Sequence, residues 1–341
     1  MNAPIPQPPV RVLYFAGTGR SGTTVINSLL GQLPGCFAAG ELRYLWQRGI
    51  AEDHTCGCGR PFSECPVWTA VMKRVRDAGA TLDEPAIGRR LLSRLRIMRL
   101  PVMLARRALG RPPVPFHADD VHIARLYRAI ADETGASVII DSSKLPPYGL
   151  LLSQLPGIEL SVVHVVRDPR ATAWSWQRLK ESRDRADSGL MQRQETWKSS
   201  LLWLVWNVLA AVLWPSGSKR VCRVRYEEFA RSPRATLAPV AELAGARPED
   251  LPFVDDDIVQ LAPTHSVAGN PNRHDTGVVR VRPDDEWRSA MPARSQVLVS
   301  ALTAPGLLAL GYPLVPPRHA GRDPGRHPGR HPGSGPTESS R

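Results

Sequence analysis

The chain has 341 residues and a formal net charge of +12, from 44 Lys+Arg against 32 Asp+Glu. The surplus is local: residues 318–341 carry +3, and residues 87–111, with eight Arg and no carboxylate, carry +8, leaving about +1 for the rest. This argues against a protein that coats nucleic acid, whose positive footprint should cover the folded body. A hydrophobic content of 42% is ordinary for a chain that buries a core. Five cysteines (36, 56, 58, 65, 222) are too few and too uneven for a disulfide-built fold, so a reducing, cytoplasmic setting is expected. Residues 1–9 hold four prolines and no apolar run, which reads as a disordered start with neither signal peptide nor transit helix.

Taken in chain order, Val10 to Phe15 is a β-branched and aromatic run, broken by Gly17 to Gly22 before Thr23 opens a helical pattern with Val25, Ile26, Leu29 and Leu30 on one side. Val138 to Ile140, Leu160 to Val166 and Val221 to Tyr226 read as further strands, separated by apolar segments of helical length. Continuous apolar strands alternating with helices imply a mainly parallel sheet covered on both faces. The expectation is one three-layer α/β domain over residues 10–316, with residues 50–135 as a variable insertion. Leu201 to Trp214 is about fourteen residues with Asn207 inside it; a membrane span needs about 20, so it reads as a buried helix. Residues 317–341, rich in Gly, Pro, His and Arg, cannot bury a core and are expected to be disordered.

Gly17-Thr18-Gly19-Arg20-Ser21-Gly22-Thr23-Thr24 joins strand to helix, where successive backbone N–H groups form an anion cradle at the helix's positive end. The pattern nearly matches the P-loop G-x-x-x-x-G-K-[ST], but Thr23 stands where the lysine that holds β- and γ-phosphates should be. Arg20 offers instead a planar donor fork suited to a tetrahedral oxyanion. A tight turn with no ligand is the plain alternative. Gly19-Arg20-Ser21-Gly22-Thr23-Thr24 resembles the 5′-phosphosulfate loop of sulfotransferases that use 3′-phosphoadenosine 5′-phosphosulfate (PAPS), in the branch with Arg at the basic position, as in protein-tyrosine sulfotransferases. The resemblance implies a P-loop-like fold, a donor with no β- or γ-phosphate, and no metal requirement.

A second anion site is then expected. Leu160 to Val166 runs into Arg167-Asp168-Pro169-Arg170 and Trp174-Ser175-Trp176: a strand end entering a helix, with Asp168 as N-cap and Pro169 in the first turn. Arg167 at the strand end and Ser175 in the second turn could converge on a phosphate. By resemblance, these two inherit the family's 3′-phosphate role.

Sulfuryl transfer needs an anion cradle, a base for the acceptor's proton, and positive charge at the oxygen that departs. Glu41, in Gly40-Glu41-Leu42-Arg43, resembles the segment carrying the catalytic glutamate in protein-tyrosine sulfotransferases; a surface carboxylate paired with Arg43 or Arg48 is the alternative. Lys144, in Asp141-Ser142-Ser143-Lys144, is one of five lysines against 39 arginines and follows a strand. Its compact ammonium can approach a departing oxygen, and in related sulfotransferases a comparable lysine stabilises the transferring group; a plain structural ion pair is the alternative. Tyr226, in Arg225-Tyr226-Glu227-Glu228, resembles a tyrosine that lines the nucleotide, and Arg273 resembles a contact from a late loop that closes over it.

His54, Cys56, Cys58 and Cys65 are four soft donors in twelve residues, but C-x-C departs from the usual zinc spacing and the far half of such a site is missing. Free thiols or a disulfide in a turn is the preferred reading, with no metal. Trp203, Trp206 and Trp214 read as core packing. For the Arg-rich segment 87–111 three readings stay open: a lid beside the acceptor, a patch for anionic lipid, or a solvated helix packed on the domain. The expected activity is a sulfotransferase moving a sulfuryl group from PAPS to a hydroxyl, or secondarily an amine, of a small-molecule or glycan acceptor, releasing 3′,5′-adenosine bisphosphate (PAP). No nucleic-acid partner is expected. Its competitors are a P-loop kinase or NTPase and a peripheral membrane or nucleic-acid-binding protein.

Overall fold

The computed structural model describes residues 8–78, 82–179, 181–184, 189–191 and 193–315. The proposed tail, 317–341, lies outside the described residues, as do residues 1–7 of the expected disordered start. The elements in chain order are β1 (Val10–Gly17), α1 (Thr23–Leu30), β2 (Cys36–Gly40), α2 (Pro66–Asp77), α3 (Glu84–Arg94), α4 (Leu100–Ala108), α5 (Asp120–Thr134), β3 (Val138–Lys144), α6 (Pro146–Leu152), β4 (Ile158–Val166), α7 (Pro169–Gln177), α8 (Thr196–Leu213), β5 (Val221–Arg225), α9 (Tyr226–Arg231), α10 (Pro233–Ala244), β6 (Ile258–Leu261), β7 (Gly277–Arg280), α11 (Trp287–Ala290) and α12 (Ala293–Ala309).

β1 to β5 form one parallel sheet in the order β2-β3-β1-β4-β5, and β6 and β7 form a separate antiparallel pair. The fold class is the expected α/β one, with helices on both faces of a parallel sheet. β1 lies at the centre because its run is apolar except for Arg11, and Val12 to Ala16 are fully buried between two cores. One core holds α2, α5 and α6 with Tyr14, Trp46 and Trp68; the other holds α1 and α10 with Phe15, Leu29 and Phe229. Successive strands lie first on one side of β1 and then on the other, so a crevice opens at the carboxyl ends where the order reverses.

Registry places the strand ends side by side. Ala16 pairs with Lys144, Gly17 with Val165, Gly40 with Asp141, and Val166 with Arg225. Four of these strands follow the sequence reading, whereas β2 is an addition to it. Its Cys-Phe-Ala-Ala-Gly run has little β propensity and is held by pairing with β3.

α8 is a helix long and apolar enough to cross a membrane by length and composition. Within the expected buried helix, one face is buried, with Asn207 facing His164, while Leu201, Val205 and Val212 on the other are exposed. In the basic segment, Pro101 sits in the first turn of α4 and the chain breaks between α3 and α4. Arg90 and Arg94 form bidentate pairs with Asp119 and Asp120, so part of the local surplus is neutralised by carboxylates just downstream.

Candidate active site

Each of the five parallel strands ends on a residue that borders one cleft of about 620 Å³: Glu41 after β2, Lys144 on β3, the glycine loop after β1, Arg167 after β4 and Tyr226 after β5. Among the described residues, six cationic side chains line it (Arg20, Arg43, Arg48, Lys144, Arg167, Arg178) against three carboxylates (Glu41, Asp184, Asp284). Such a site favours a small anion-rich ligand.

The loop's shape follows from its glycines. Gly22 has φ 85°, and a Cβ there would lie 2.4 Å from the Tyr226 ring; at Gly19 a Cβ would lie 2.8 Å from Trp176. The loop is thus packed between two aromatic rings. Gly22 caps α1 without a side-chain hydrogen bond, and no acidic residue lies in the first turn, so the N–H groups and positive end of α1 stay open to an anion. Gly19, Arg20, Gly22, Thr23 and Thr24 all line the cleft. Ser21 does not: its side chain turns inward, where the hydroxyl donates to the Thr18 carbonyl at 2.7 Å and closes the turn.

Arg20 and Lys144 both hold left-handed backbone conformations, φ 67° each. Residues without that need avoid such geometry, and it concentrates at functional sites. The Arg20 guanidinium lies 4.6 Å from the Trp176 ring centroid, and its buried Nη1 has no partner. Burial, with Arg178 nearby, lowers its pKa.

Lys144 Nζ donates to Glu41 Oε1 at 2.7 Å and to the Ser142 carbonyl at 2.8 Å. Burial alone would raise the Glu41 carboxyl, but Lys144, Arg43 and Arg48 outweigh it and hold the pKa below the usual range. Burial lowers the Lys144 ammonium and Glu41 partly opposes this. The sequence alternative for Glu41, a surface pair with Arg43 or Arg48, gives way to this enclosed pair: those two arginines stack on Tyr44 instead, at 4.0 and 4.2 Å. Beneath the pair, Asp141 accepts from the Tyr127 hydroxyl and from the Ser143 backbone and hydroxyl, and Ser143 in turn accepts from the Arg43 backbone N–H. This network fixes the turn that carries Glu41. Burial pushes the Asp141 carboxyl up to about 6.

On the other side of the loop, Asp168 caps α7 by accepting from Arg170 N at 2.8 Å, as its place before Pro169 predicts. Arg167 is buried, donates to the Arg20 carbonyl at 3.1 Å and lies 4.3 Å from the Tyr226 centroid. Its Nη2 meets Asp284 at 3.0 Å, and Arg178 meets the same carboxylate oxygen at 2.5 Å. Burial would raise the Asp284 carboxyl, yet the two guanidinium groups keep it low. Asp284 is thus clasped by two arginines in the cleft that Ser175 also lines. Arg178 was missed in the sequence, although it lies three residues after Ser175.

Arg273 is a correction. The sequence assigns it a ligand contact, but its guanidinium is buried behind the cleft wall, donating to the Val267 and Thr55 carbonyls at 3.1 and 2.6 Å and to Asp184 at 2.7 Å. It braces the loop whose Gly269 and Asn270 do reach the cleft. Trp206 packs against the core that holds Trp214, as expected, and also lines the cleft. Among the described residues, none of 87–111 lines the cleft, which removes the observation a lid would need.

The soft donors also regroup. His54 pairs with Glu52 at 2.9 Å, while Cys56, Cys58 and Cys65 meet His265 from the late loop. A fourth soft donor, 200 residues downstream of Cys65, thus joins the three cysteines.

Comparison with known proteins is sparse. No family model and no curated protein matches the chain. In structure it is similar to a sulfotransferase domain from the Synechococcus PCC 7002 olefin synthase, with 20% identity, 92% of this chain and 98% of that chain covered, and a TM-score of 0.47. It is also similar to the sulfotransferase domain from the curacin biosynthetic pathway, with 15% identity, 91% of this chain and 99% of that chain covered, and a TM-score of 0.47. A sulfotransferase from Mycobacterium avium aligns at 17% identity over 70% of this chain and 65% of that one, with a TM-score of 0.38.

Proposed function

We propose that the chain is a PAPS-dependent sulfotransferase acting on an acceptor hydroxyl. The observation that carries the reading is the convergence in one cleft of two separate anion points, the Arg20 loop and the Arg167–Arg178 fork, with the Glu41–Lys144 pair beside the first. The residues present fit such a donor: a buried Arg20 Nη1 and Arg167 Nε lack partners, and the cleft carries more cations than carboxylates. When bound, PAPS supplies the sulfuryl group. The open end of α1 and Arg20 would hold the 5′ end, Arg167 with Ser175 and Arg178 the 3′-phosphate, and Tyr226 and Trp176 would flank the nucleotide.

In the resting cleft Glu41 is a weak base because Lys144 stabilises its ionised form. Lys144 is shared: any negative charge that develops beside β1 draws the ammonium from Glu41, and the proton affinity of the carboxylate rises as the ammonium leaves. Base strength at Glu41 is thereby tied to charge at the departing oxygen. Arg20, already desolvated, stabilises that charge at low reorganisation cost. Thr23 in place of a P-loop lysine leaves nothing at that position for a γ-phosphate.

Thermal unfolding with ligands tests the reading. PAP without magnesium should stabilise the protein, by about 2.7 kcal/mol at 100 times Kd, and ATP with magnesium should not. The reverse ranking favours a kinase or NTPase. Incubation with labelled PAPS and an acceptor panel then identifies the acceptor; the same kit of residues would serve an amine.

A further inference from the structure

We propose that Cys56, Cys58, Cys65 and His265 bind one zinc ion, which pins the late loop of the cleft to the edge of the sheet. The four donor atoms all lie within 4.8 Å of one another. A tetrahedral zinc with Zn–S of about 2.3 Å and Zn–N of about 2.0–2.1 Å needs S···S edges of about 3.8 Å and S···N edges of about 3.5 Å. The observed Cys58–Cys65 Sγ separation is 3.8 Å, and His265 Nδ1 lies 3.3 Å from Cys65 Sγ and 4.0 Å from Cys56 Sγ. Three sulfurs and one imidazole nitrogen suit zinc over harder cations.

The surroundings are built to hold the donors. Cys56 N donates to the Arg60 carbonyl at 2.7 Å and Gly59 N to the Cys56 carbonyl at 2.8 Å, closing a turn in which Gly59 has φ 88°. The short C-x-C spacing is possible because this turn folds back on itself. Cys65 caps α2 at its positive end, which favours a thiolate. The His265 ring stacks on Phe37 of β2, and its carbonyl accepts from Trp68 Nε1 at 2.7 Å. Zinc with three thiolates carries a net charge of −1, and the buried Arg273, bonded to the Thr55 carbonyl beside Cys56, brings a positive charge close by. Binding is balanced as Zn²⁺ plus three thiols and one neutral imidazole giving the four-coordinate complex and three released protons.

All four ligand positions are protein side chains, which is the pattern of a structural site. Its mechanical effect is readable: Gly57 N donates to the Ser266 carbonyl at 2.9 Å and Val267 N to the Ala39 carbonyl at 3.0 Å, so the cross-link joins the 55–65 turn, the end of β2 and the 264–274 loop. That loop carries Gly269 and Asn270 to the cleft, and the Asn270 N–H lies 3.4 Å from Thr24 Oγ1.

The test is made on the full chain, reduced without oxygen, mixed with zinc chloride and desalted. Metal analysis should find about one zinc per chain, and cobalt should replace it with the absorption of a tetrahedral thiolate site. Cys58→Ser, at a half-buried position, and His265→Ala should each lose most of the metal while circular dichroism is retained. Zinc-free wild type after this treatment overturns the site, as does unchanged zinc in both variants. Chelation should speed hydrogen exchange in peptides covering 55–65 and 264–274 and leave β1 and β3 protected; unchanged exchange there overturns the pinning.

Discussion

Asp284 sits between Arg167 and Arg178 where the proposed function puts a 3′-phosphate, and replacing it with Asn should tighten PAP binding. Its carboxylate contacts are 3.0 and 2.5 Å, and its side chain is 25% exposed against 6% for Arg167. Unit charges about 4 Å apart attract by about 4 kcal/mol at an effective dielectric of about 20, but partial exposure reduces the net worth of such a pair toward about 1 kcal/mol. PAP must displace one or both contacts. Asp284→Asn should therefore raise its affinity between about 5-fold, for one contact, and about 30-fold, for two. Titration calorimetry with PAP and 5′-AMP measures this, at low and at moderate salt, since screening should shrink the difference. 5′-AMP has no 3′-phosphate and should change by less than about 2-fold. Weaker PAP binding in Asp284→Asn would mean that the carboxylate positions Arg167 for the ligand, and an equal gain for both nucleotides would mean that the fork does not read the 3′-phosphate. The first result refutes the competition between Asp284 and the phosphate, and the second refutes the assignment of the fork.

Three further outcomes are expected. Glu41→Gln should leave PAP affinity within about 2-fold and reduce turnover by about 10²-fold or more, as the loss of a general base requires; near-normal turnover in a discontinuous transfer assay would remove Glu41 from that role. Gly22→Ala should abolish detectable PAP stabilisation and cost about 1–3 kcal/mol, from φ 85° and the Tyr226 ring 2.4 Å from the new Cβ; a thermal shift equal to wild type would contradict the packed loop. For Asp141, the folded pKa of about 6 lies above the unfolded value near 3.9, so the native state holds the extra proton and stability falls as pH rises from about 4 to about 6. Asp141→Asn removes this term. Its stability relative to wild type should climb across that window by up to about 3 kcal/mol, read from urea unfolding at a series of pH values, and a flat difference would contradict the burial of an ionisable carboxyl.

Much of the sheet was legible because β1, β3 and β4 carry runs of consecutive apolar residues, and β5 alternates Val with Arg before Tyr226. β2 was not, since Cys36–Gly40 has the composition of a turn and becomes a strand only beside β3. The loop residues and the Arg167–Ser175 pair could be located by local spacing, because a strand end and the first two turns of the next helix fix where their side chains lie. What spacing could not convey is direction. Ser21 and Arg273 sit in the right segments, yet one closes a turn and the other spends its donors on backbone carbonyls and Asp184. His265 illustrates the other gap, since no periodicity links it to cysteines 200 residues earlier and only the course of the late loop over β2 brings them together.

The parallel sheet also acts as a ruler. Strands lie about 4.8 Å apart, so from Glu41 at one edge through Lys144, the Arg20 loop and Arg167 to Tyr226 at the other, the site is laid out over four steps, or about 19 Å. The order along this ruler differs from the order along the chain: the two strands nearest the proposed base are β2 and β3, and the whole 50–135 segment lies between them in sequence. Changing the parts of that segment that face solvent leaves β1, β4 and β5 and their spacing in place, whereas its α2 and α5 belong to the core that covers β1. A lineage, or a designer, could then exchange what approaches Glu41 while the opposite half of the crevice keeps its geometry, because β4 and β5 lie on the far side of β1.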